Sequence, residues 1–299
     1  MMKPSSSFYR SIKQIKSLSS SSSSSFGDIV HGSSLAILRH YHPVPAAIIG
    51  VPISDIDDDS QPFSIINRYR IPGLWDTWRN KNTSGKILRP GMILLKSYVN
   101  ILGQTGIVDA CEKLGVGPGG FYVPSNRSGH KLQRHITSFG RNWDPVTGYN
   151  NRYISDGSEP PAIPHGFINL INSAIEVAQA HMDELPSINP DSCLVSFYST
   201  CDRLDLHQDH DESADSLKKG LPVASVSIGD AVEFWYGDTR DENKLGKVLL
   251  ESGDILIYGG KSRLIFHGIK RILHGTIPPN LEKAVMIRPG HLNLSLKQF

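Results

Sequence analysis

Three residues in the second half of the chain, two histidines and one aspartate, have the types and spacing to bind a metal ion. His207 and Asp209 stand two residues apart in the stretch RLDLHQDHDE, and His267 lies in SRLIFHGI. Two imidazoles and one carboxylate with open positions opposite them suit Fe(II) in a facial-triad site. The chain has 12 histidines, so the pattern also fits hydrogen-bonded histidines and a turn aspartate. The strand-like context of both segments favours the metal site.

The elements that must position these ligands are β-strands. Residues i and i+2 of a strand share a face, so His207 and Asp209 point to the same side while Gln208 points away. His267 must then come from a partner strand, and the adjacent Gly268 allows close approach of the backbones.

The whole C-terminal region predicts strand after strand. CLVSFYS and LDLHQD flank the polar break TCDR like a hairpin, and PVASVSI, VEFWYGD, KVLLE, DILIYGG, LIFHGI and HLNLSLKQF follow. About eight short strands without intervening helices indicate a double-stranded β-helix, or jelly roll. Upstream, LRPGMILLKSYVN predicts an entering strand, and a helix that opens at Pro164 carries an apolar stripe. We therefore expect an α+β fold, mainly a β core with flanking helices. The stripe consists of Phe167, Leu170, Ile171, Ala174, Ile175 and Ala178.

Four segments give the chain a family resemblance. LHQDHDE, GLPVASVSIGD, LLESGDILIYGGKSRLIFHGI and RPGHLNLSL resemble, in order and spacing, the AlkB family of Fe(II)/2-oxoglutarate-dependent dioxygenases, in the branch of AlkB-homologue-one-like proteins. The resemblance covers the chain from about Arg89 onward. It implies Fe(II) held by the triad, 2-oxoglutarate and O₂ as co-substrates, and a nucleotide-recognition lid.

The resemblance also implies a co-substrate site, at which this chain departs from the family. The family's last strand reads R-x-N-x-T-x-R, and an asparagine and a tyrosine on an earlier strand assist. Arginine binds a carboxylate through a planar fork, whereas lysine is a point charge and histidine is mostly neutral near pH 7. We therefore expect weakened co-substrate binding, unless a bulge swings Arg288 inward. The corresponding positions here are Ser196, Tyr198, His291, Asn293, Ser295 and Lys297.

The stretch SFGRNWDPVTGYNNRY aligns with the family's lid, whose aromatics stack on a flipped base. Trp143 is then the candidate stacking residue, with Tyr149 or Tyr153 as partner; Trp143 equally fits a residue that pins the lid to the core. Asp211 and Glu212 match acids that follow the metal motif, and the first contacts the base in the family. Both also fit solvated turn residues. Arg263 completes the substrate residues that the resemblance implies, and Lys131, Arg134, Arg141 and Arg152 are candidate phosphate contacts.

The resemblance implies oxidative demethylation of N-methylated nucleobases, as in DNA repair. N6-methyladenine in DNA is the first choice and N1-methyladenine in tRNA the second. Methylated single-stranded or distorted DNA or RNA would be the partner, because a paired base must first be extruded. Three alternatives stay open: a catalytically impaired relative that binds nucleic acid, an oxygenase acting on protein or small molecules, and a cupin-type binding protein.

Composition sets the remaining expectations. A net charge of +2 means that any nucleic-acid surface must be local. Residues 1–27, with 12 serines and no acid, fit a disordered tail or an organellar transit peptide. This leaves a chloroplast or mitochondrion, or the nucleus or cytoplasm, as the location. Residues 28–87 read as a poorly defined extension, and 88–299 as the dioxygenase domain with a lid at 115–163. We expect a monomer without a membrane span.

Overall fold

The structure is a computed structural model that describes residues 74–115, 120–154, 156–285 and 287–299. The predicted N-terminal tail (1–27) and residues 28–73 of the predicted extension lie outside the described residues. None of the helices in the described ranges has the length and apolar character needed to cross a membrane.

Eleven strands and four α-helices make up the regular structure of the described residues, together with short 3-10 turns such as Leu74–Trp78. The helices are α1 (Ile101–Leu114), α2 (His165–Gln179), α3 (Ala214–Lys219) and α4 (Pro279–Val285). The strands are β1 (Gly85–Arg89), β2 (Met92–Leu95), β3 (His135–Gly140), β4 (Ser192–Tyr198), β5 (Leu204–His207), β6 (Val223–Gly229), β7 (Ala231–Gly237), β8 (Gly246–Leu250), β9 (Ile255–Tyr258), β10 (Phe266–Leu273) and β11 (His291–Lys297).

These strands form two antiparallel sheets, and this confirms the predicted double-stranded β-helix. The large sheet has the order β1-β2-β9-β6-β11-β4-β3, and the small sheet has the order β5-β10-β7-β8. Every strand pair in the two sheets is antiparallel.

Three details of the predicted strand order are wrong. β4 and β5 do not form a hairpin: β4 pairs with β3 and β11 in the large sheet, whereas β5 pairs with β10 in the small one. The polar break between them therefore crosses from one sheet to the other. The segment predicted as a single entering strand contains a turn, at which Gly91 has a φ of 78°, and β1 and β2 form a hairpin on its two sides. The short helices α3 and α4 interrupt the run of strands.

One face of the large sheet packs on the helices. Leu292, Leu294 and Leu296 of β11 belong to this core, and each is at most 1% exposed. The predicted apolar stripe of α2 is buried in the same core and is therefore confirmed. Alternation along β11 leaves the odd-numbered residues on the opposite face, which looks toward the small sheet. A second apolar cluster lines the space between the sheets, with residues such as Leu256 and Phe234.

Candidate metal centre

The two sheets bring His207, Asp209 and His267 together. β5 and β10 pair so that His267 lies directly opposite His207, and their ring centroids are 4.4 Å apart. Asp209 follows the end of β5 by two residues. One ligand atom from each residue can be chosen so that all three lie within 4.8 Å of one another, and no other such group of His, Cys, Asp or Glu occurs in the described residues.

Gly268 explains how the two strands approach so closely. A Cβ atom at this position would collide with the backbone carbonyl oxygen of Leu204 on β5. Only glycine therefore fits beside His267 in this register, as the sequence predicted.

Tyr258 of β9 completes the contacts of the triad, and sequence reasoning did not identify it. Its hydroxyl donates to Asp209 Oδ2 at 2.8 Å and lies 3.3 Å from His267 Nε2. Burial and the nearby charge of Asp209 raise the pKa of Tyr258 well above its usual value. The phenol therefore stays protonated and acts as a donor that orients the carboxylate. Its place in the apolar stretch DILIYGG gave no signal of this contact.

The protonation states of the triad suit a cation. Burial and the neighbouring His207 lower the pKa of His267 to about 4, so its imidazole is neutral at physiological pH. Burial alone would raise the pKa of Asp209, but the charge of Lys297 and a hydrogen bond from His207 hold it well below its usual value. Two neutral nitrogens and one carboxylate are the donor set of non-haem Fe(II) sites. The residues present fit iron(II).

A chain of buried ion pairs lies behind Asp209. Lys297 Nζ is 3.0 Å from Asp209 Oδ2 and 3.0 Å from Glu212 Oε1. Arg263 Nη2 is 2.7 Å from Glu212 Oε2, and its Nη1 donates to the Asp209 carbonyl at 2.7 Å. Burial would lower the pKa of Lys297, but the charges of Asp209, Tyr149 and Glu212 raise it. Lys297 is therefore charged, and it forms ion pairs with the carboxylates of Asp209 and Glu212.

This network changes the interpretation of two residues that the sequence assigned to substrate. The side chains of Glu212 and Arg263 are 1% and 4% exposed, and neither lines the cavity above the triad. Their charges are matched by each other and by Lys297. The structure thus places both side chains behind Asp209, where Glu212 contacts Lys297 and Arg263 contacts the Asp209 backbone.

All six predicted co-substrate residues line the cavity that contains the triad. The register explains this: on the large sheet, Tyr198 lies opposite His291, and Ser196 lies opposite Asn293. Ser295 and Lys297 continue the same face of β11 toward Asp209. The Asn293 amide is held by β6, because its Nδ2 donates to Ser225 Oγ at 2.6 Å.

His291 occupies the first position of this row but carries no charge. Its Nδ1 donates to the backbone carbonyl of Asp230 at 2.8 Å, and its Nε2 is buried without a hydrogen-bond partner. Burial lowers the pKa of His291 to about 4, although the hydrogen bond to Asp230 opposes this shift. Gly290 holds the residue in place, since its φ is 143° and a Cβ there would collide with the Tyr198 carbonyl oxygen. Arg288, which only a bulge could have turned inward, is exposed and lies outside the cavity lining.

The predicted substrate residues of the lid divide into two groups. Trp143 and Asp211 line the cavity mouth, and the Trp143 indole donates to Asp211 Oδ2 at 2.9 Å. Tyr149 is buried away from the cavity, where its hydroxyl accepts from Ser192 and its ring packs edge-on against Phe299. Tyr153 is 53% exposed and is not part of the lining. Neither tyrosine is placed to stack with a base on Trp143.

The candidate phosphate contacts are likewise dispersed. Arg141 and Arg152 form ion pairs with Asp191 and Glu159, and the Lys131 ammonium donates to a backbone carbonyl at the surface. Arg134 instead enters the cavity and donates from Nη1 to the Tyr198 hydroxyl at 3.0 Å. The sequence indicated Arg134 only as a candidate phosphate contact. It gave no indication that Arg134 lines the central cavity.

Comparison with known proteins agrees with this geometry. Residues 91–296 match the family model described as the 2OG-Fe(II) oxygenase superfamily. Among curated relatives, the DNA N(6)-methyladenine demethylase ALKBH1C of Arabidopsis thaliana is 46% identical over 230 residues, which are 73% of this chain and 50% of the relative. The alpha-ketoglutarate-dependent dioxygenase AlkB of Escherichia coli (strain K12) is 37% identical over 122 residues, 41% of this chain and 52% of that protein.

Among solved structures, that of OsALKBH1 superimposes with a TM-score of 0.67 at 47% identity and covers 71% of this chain and 100% of that one. The chain spans about half the length of the curated relatives it matches. The family match covers most of the chain, and the triad lies within it. The chain therefore belongs to the 2OG-Fe(II) oxygenase superfamily, in the AlkB family and its ALKBH1-like branch.

Proposed function

We propose that this protein removes N-methyl groups from nucleobases by Fe(II)- and 2-oxoglutarate-dependent oxidation, with N6-methyladenine in DNA as its substrate. The observation that carries the proposal is the triad of His207, Asp209 and His267 at the base of a cavity whose mouth holds Trp143 and Asp211. Two relatives from Arabidopsis thaliana, each 46% identical to this chain over the matched residues, carry the name DNA N(6)-methyladenine demethylase.

The triad would hold iron(II), which together with 2-oxoglutarate and O₂ supplies the oxidation of the N-methyl carbon. With these bound, one oxygen atom of O₂ would go to the methyl group and the other to succinate, as 2-oxoglutarate would lose CO₂. The resulting N-hydroxymethyl group leaves as formaldehyde, and the amine regains its hydrogen. Each turnover consumes one 2-oxoglutarate and repairs one base.

The protein's own side chains provide position and charge. Tyr258 fixes the orientation of Asp209, and the Lys297–Glu212–Arg263 network holds that carboxylate from behind. At the mouth, the Trp143 ring offers a stacking surface. Asp211 is an acceptor suited to the exocyclic amino group of adenine or cytosine. A base must leave its stack to reach this depth, which favours single-stranded or distorted DNA or RNA. We propose that the protein does this as a monomer.

A direct test is to incubate the Fe(II)-loaded protein with single-stranded oligonucleotides that carry N6-methyladenine or N1-methyladenine, as DNA and as RNA. The proposal expects mass spectrometry to show demethylated base and an equal amount of succinate. Asp209→Ala should abolish both products. Asp205→Ala is the matched control, because the Asp205 side chain is 89% exposed and does not line the cavity.

A second candidate is a relative that binds methylated nucleic acid without turnover. It is favoured by one observation: His291 is uncharged and Lys297 is tied to Asp209 and Glu212, where the family pattern has arginines. The same experiment separates the two when oligonucleotide binding is also measured, by fluorescence anisotropy. Oligonucleotide binding without succinate or formaldehyde would support this candidate and contradict the demethylase proposal.

A further inference from the structure

The cavity has a shortage of positive charge at the end away from the metal ligands. 2-Oxoglutarate carries two carboxylates, and the one distant from the keto group needs a donor at that end. With Nδ1 donating to Asp230, a neutral His291 presents only the lone pair of Nε2. A lone pair cannot donate to a carboxylate oxygen, so His291 in this form does not hold the distal carboxylate.

Two side chains of the cavity lining, Arg134 and Lys297, have cationic groups that are charged at neutral pH. Lys297 is within 3.0 Å of Asp209 and of Glu212 at the metal end. Arg134 is the other, and its charge has no carboxylate partner in any ion pair of the described residues. It contacts two aromatic rings instead, with Cζ 5.7 Å from the Trp143 ring centroid and 5.9 Å from that of Tyr198.

Strand pairing places Arg134 in the same row as His291, the residue that stands where the family pattern has its first arginine. β3 pairs with β4 so that His135 lies opposite Phe197, and the same register extended by one residue puts Arg134 opposite Tyr198. Tyr198 in turn lies opposite His291 on β11. The three side chains therefore form one row across adjacent strands, with Tyr198 in the middle.

Two nitrogen atoms of this row are buried without partners. Arg134 Nε has no hydrogen-bond acceptor, and His291 Nε2 has no donor. A buried polar group without a partner costs free energy and points to a missing ligand or water. The Nε edge of a guanidinium is one of the two edges that can bind a carboxylate with two parallel hydrogen bonds. The Tyr198 hydroxyl accepts from Arg134 Nη1 at 3.0 Å and still has its own hydrogen to donate.

We propose that Arg134 is the cation that binds the distal carboxylate of 2-oxoglutarate, together with the Tyr198 hydroxyl, in place of the arginine that the family has at position 291. The inference rests on the proposed function, since it concerns the co-substrate of the same site. It makes Arg134 a specificity-determining residue for dicarboxylic 2-oxo acids. It also links co-substrate binding to the lid, because the same guanidinium lies over Trp143.

The test compares two co-substrates that differ only at the distal end. Calorimetry of the full-length protein loaded with Mn(II), without oxygen, measures the affinity for 2-oxoglutarate and for 2-oxopentanoate, which has a methyl group in place of the distal carboxylate. Arg134→Met should weaken 2-oxoglutarate binding by roughly thirtyfold to a few thousandfold. The affinity for 2-oxopentanoate should not change, which also shows that the variant is folded.

Arg127→Met is the matched control, because Arg127 is exposed nearby and donates only to the Val146 carbonyl; it should leave both affinities unchanged. Adding His291→Arg to Arg134→Met should restore much of the lost 2-oxoglutarate affinity. Equal effects of Arg134→Met on both ligands, or no effect on either, would overturn the role of Arg134 alone. If the wild-type protein binds Mn(II) but not 2-oxoglutarate, the proposed function itself fails, and this inference fails with it.

Discussion

Trp143 donates its indole N–H to the carboxylate of Asp211, with Nε1 2.9 Å from Oδ2. The two residues that the sequence predicts to contact a base therefore contact each other across the cavity mouth. An exocyclic amino group that bonds to Asp211 must compete with this hydrogen bond. The stacking face of the indole is not used by the bond, although Arg134 lies over the same ring at 5.7 Å.

Trp143→Ala should weaken binding of a single-stranded oligonucleotide containing N6-methyladenine by about 1–3 kcal/mol, which is the worth of one base stacked on an aromatic ring. Trp143→Phe keeps a stacking surface and frees Asp211, so its affinity should stay near that of the wild type. Fluorescence anisotropy with a labelled oligonucleotide measures both. Equal losses for the two variants would show that the indole acts through Asp211 or the lid and not by stacking.

Tyr258→Phe should lower the affinity for the metal while leaving all three ligands in place. The lost hydroxyl orients Asp209, and removal of such an outer contact typically costs about tenfold to a hundredfold in metal affinity. Titration with Co(II), followed by its visible absorption, measures the effect. Tyr98→Phe is the control, because Tyr98 is buried in the core on the helix side of the large sheet and does not line the cavity. Unchanged Co(II) affinity in Tyr258→Phe would contradict the orienting role.

The metal triad could be predicted from the sequence because it depends on local rules. His207 and Asp209 are two residues apart, and Gly268 beside His267 signalled a close strand. The positions of β11 that face the cavity also follow from a period of two. Arg134 could not be assigned in this way, since its place depends on β3 pairing with β4, which lies some 60 residues away along the chain.

Glu212 and Tyr149 show the opposite difficulty. Each lies close in sequence to a residue that does line the cavity, Asp211 or Trp143, and the family pattern assigns them to the substrate. In the structure their side chains turn into the protein, where Glu212 meets two cations and Tyr149 packs on Phe299. Sequence proximity specifies a neighbourhood, but the direction of a side chain in a loop depends on which partners are buried near it.

Glu212→Ala should destabilise the protein by about 3–5 kcal/mol, because it leaves Arg263 and Lys297 buried with an unmatched charge. Urea unfolding of the metal-free protein measures this change. Asp215→Ala removes an exposed i,i+4 ion pair with Lys219 and should cost less than about 0.5 kcal/mol. A loss for Glu212→Ala no larger than that of the control would mean that the network is not needed for folding.

The stability of the metal-free protein should fall as the pH drops below about 6.5, and His291 should account for part of the loss. Its pKa is about 4 in the folded protein and about 6.5 in an unfolded chain. The unfolded state therefore binds the proton more tightly. The contribution of His291 to the free energy of unfolding is complete above pH 6.5 and is lost progressively between pH 6.5 and 4. Below about pH 4 the loss from this pKa shift reaches about 3 kcal/mol.

His291→Asn keeps a side-chain donor for the Asp230 carbonyl but cannot titrate. Urea unfolding at pH 7, 6 and 5 should show a steeper decline for the wild type than for this variant, and parallel declines would contradict a buried, neutral His291.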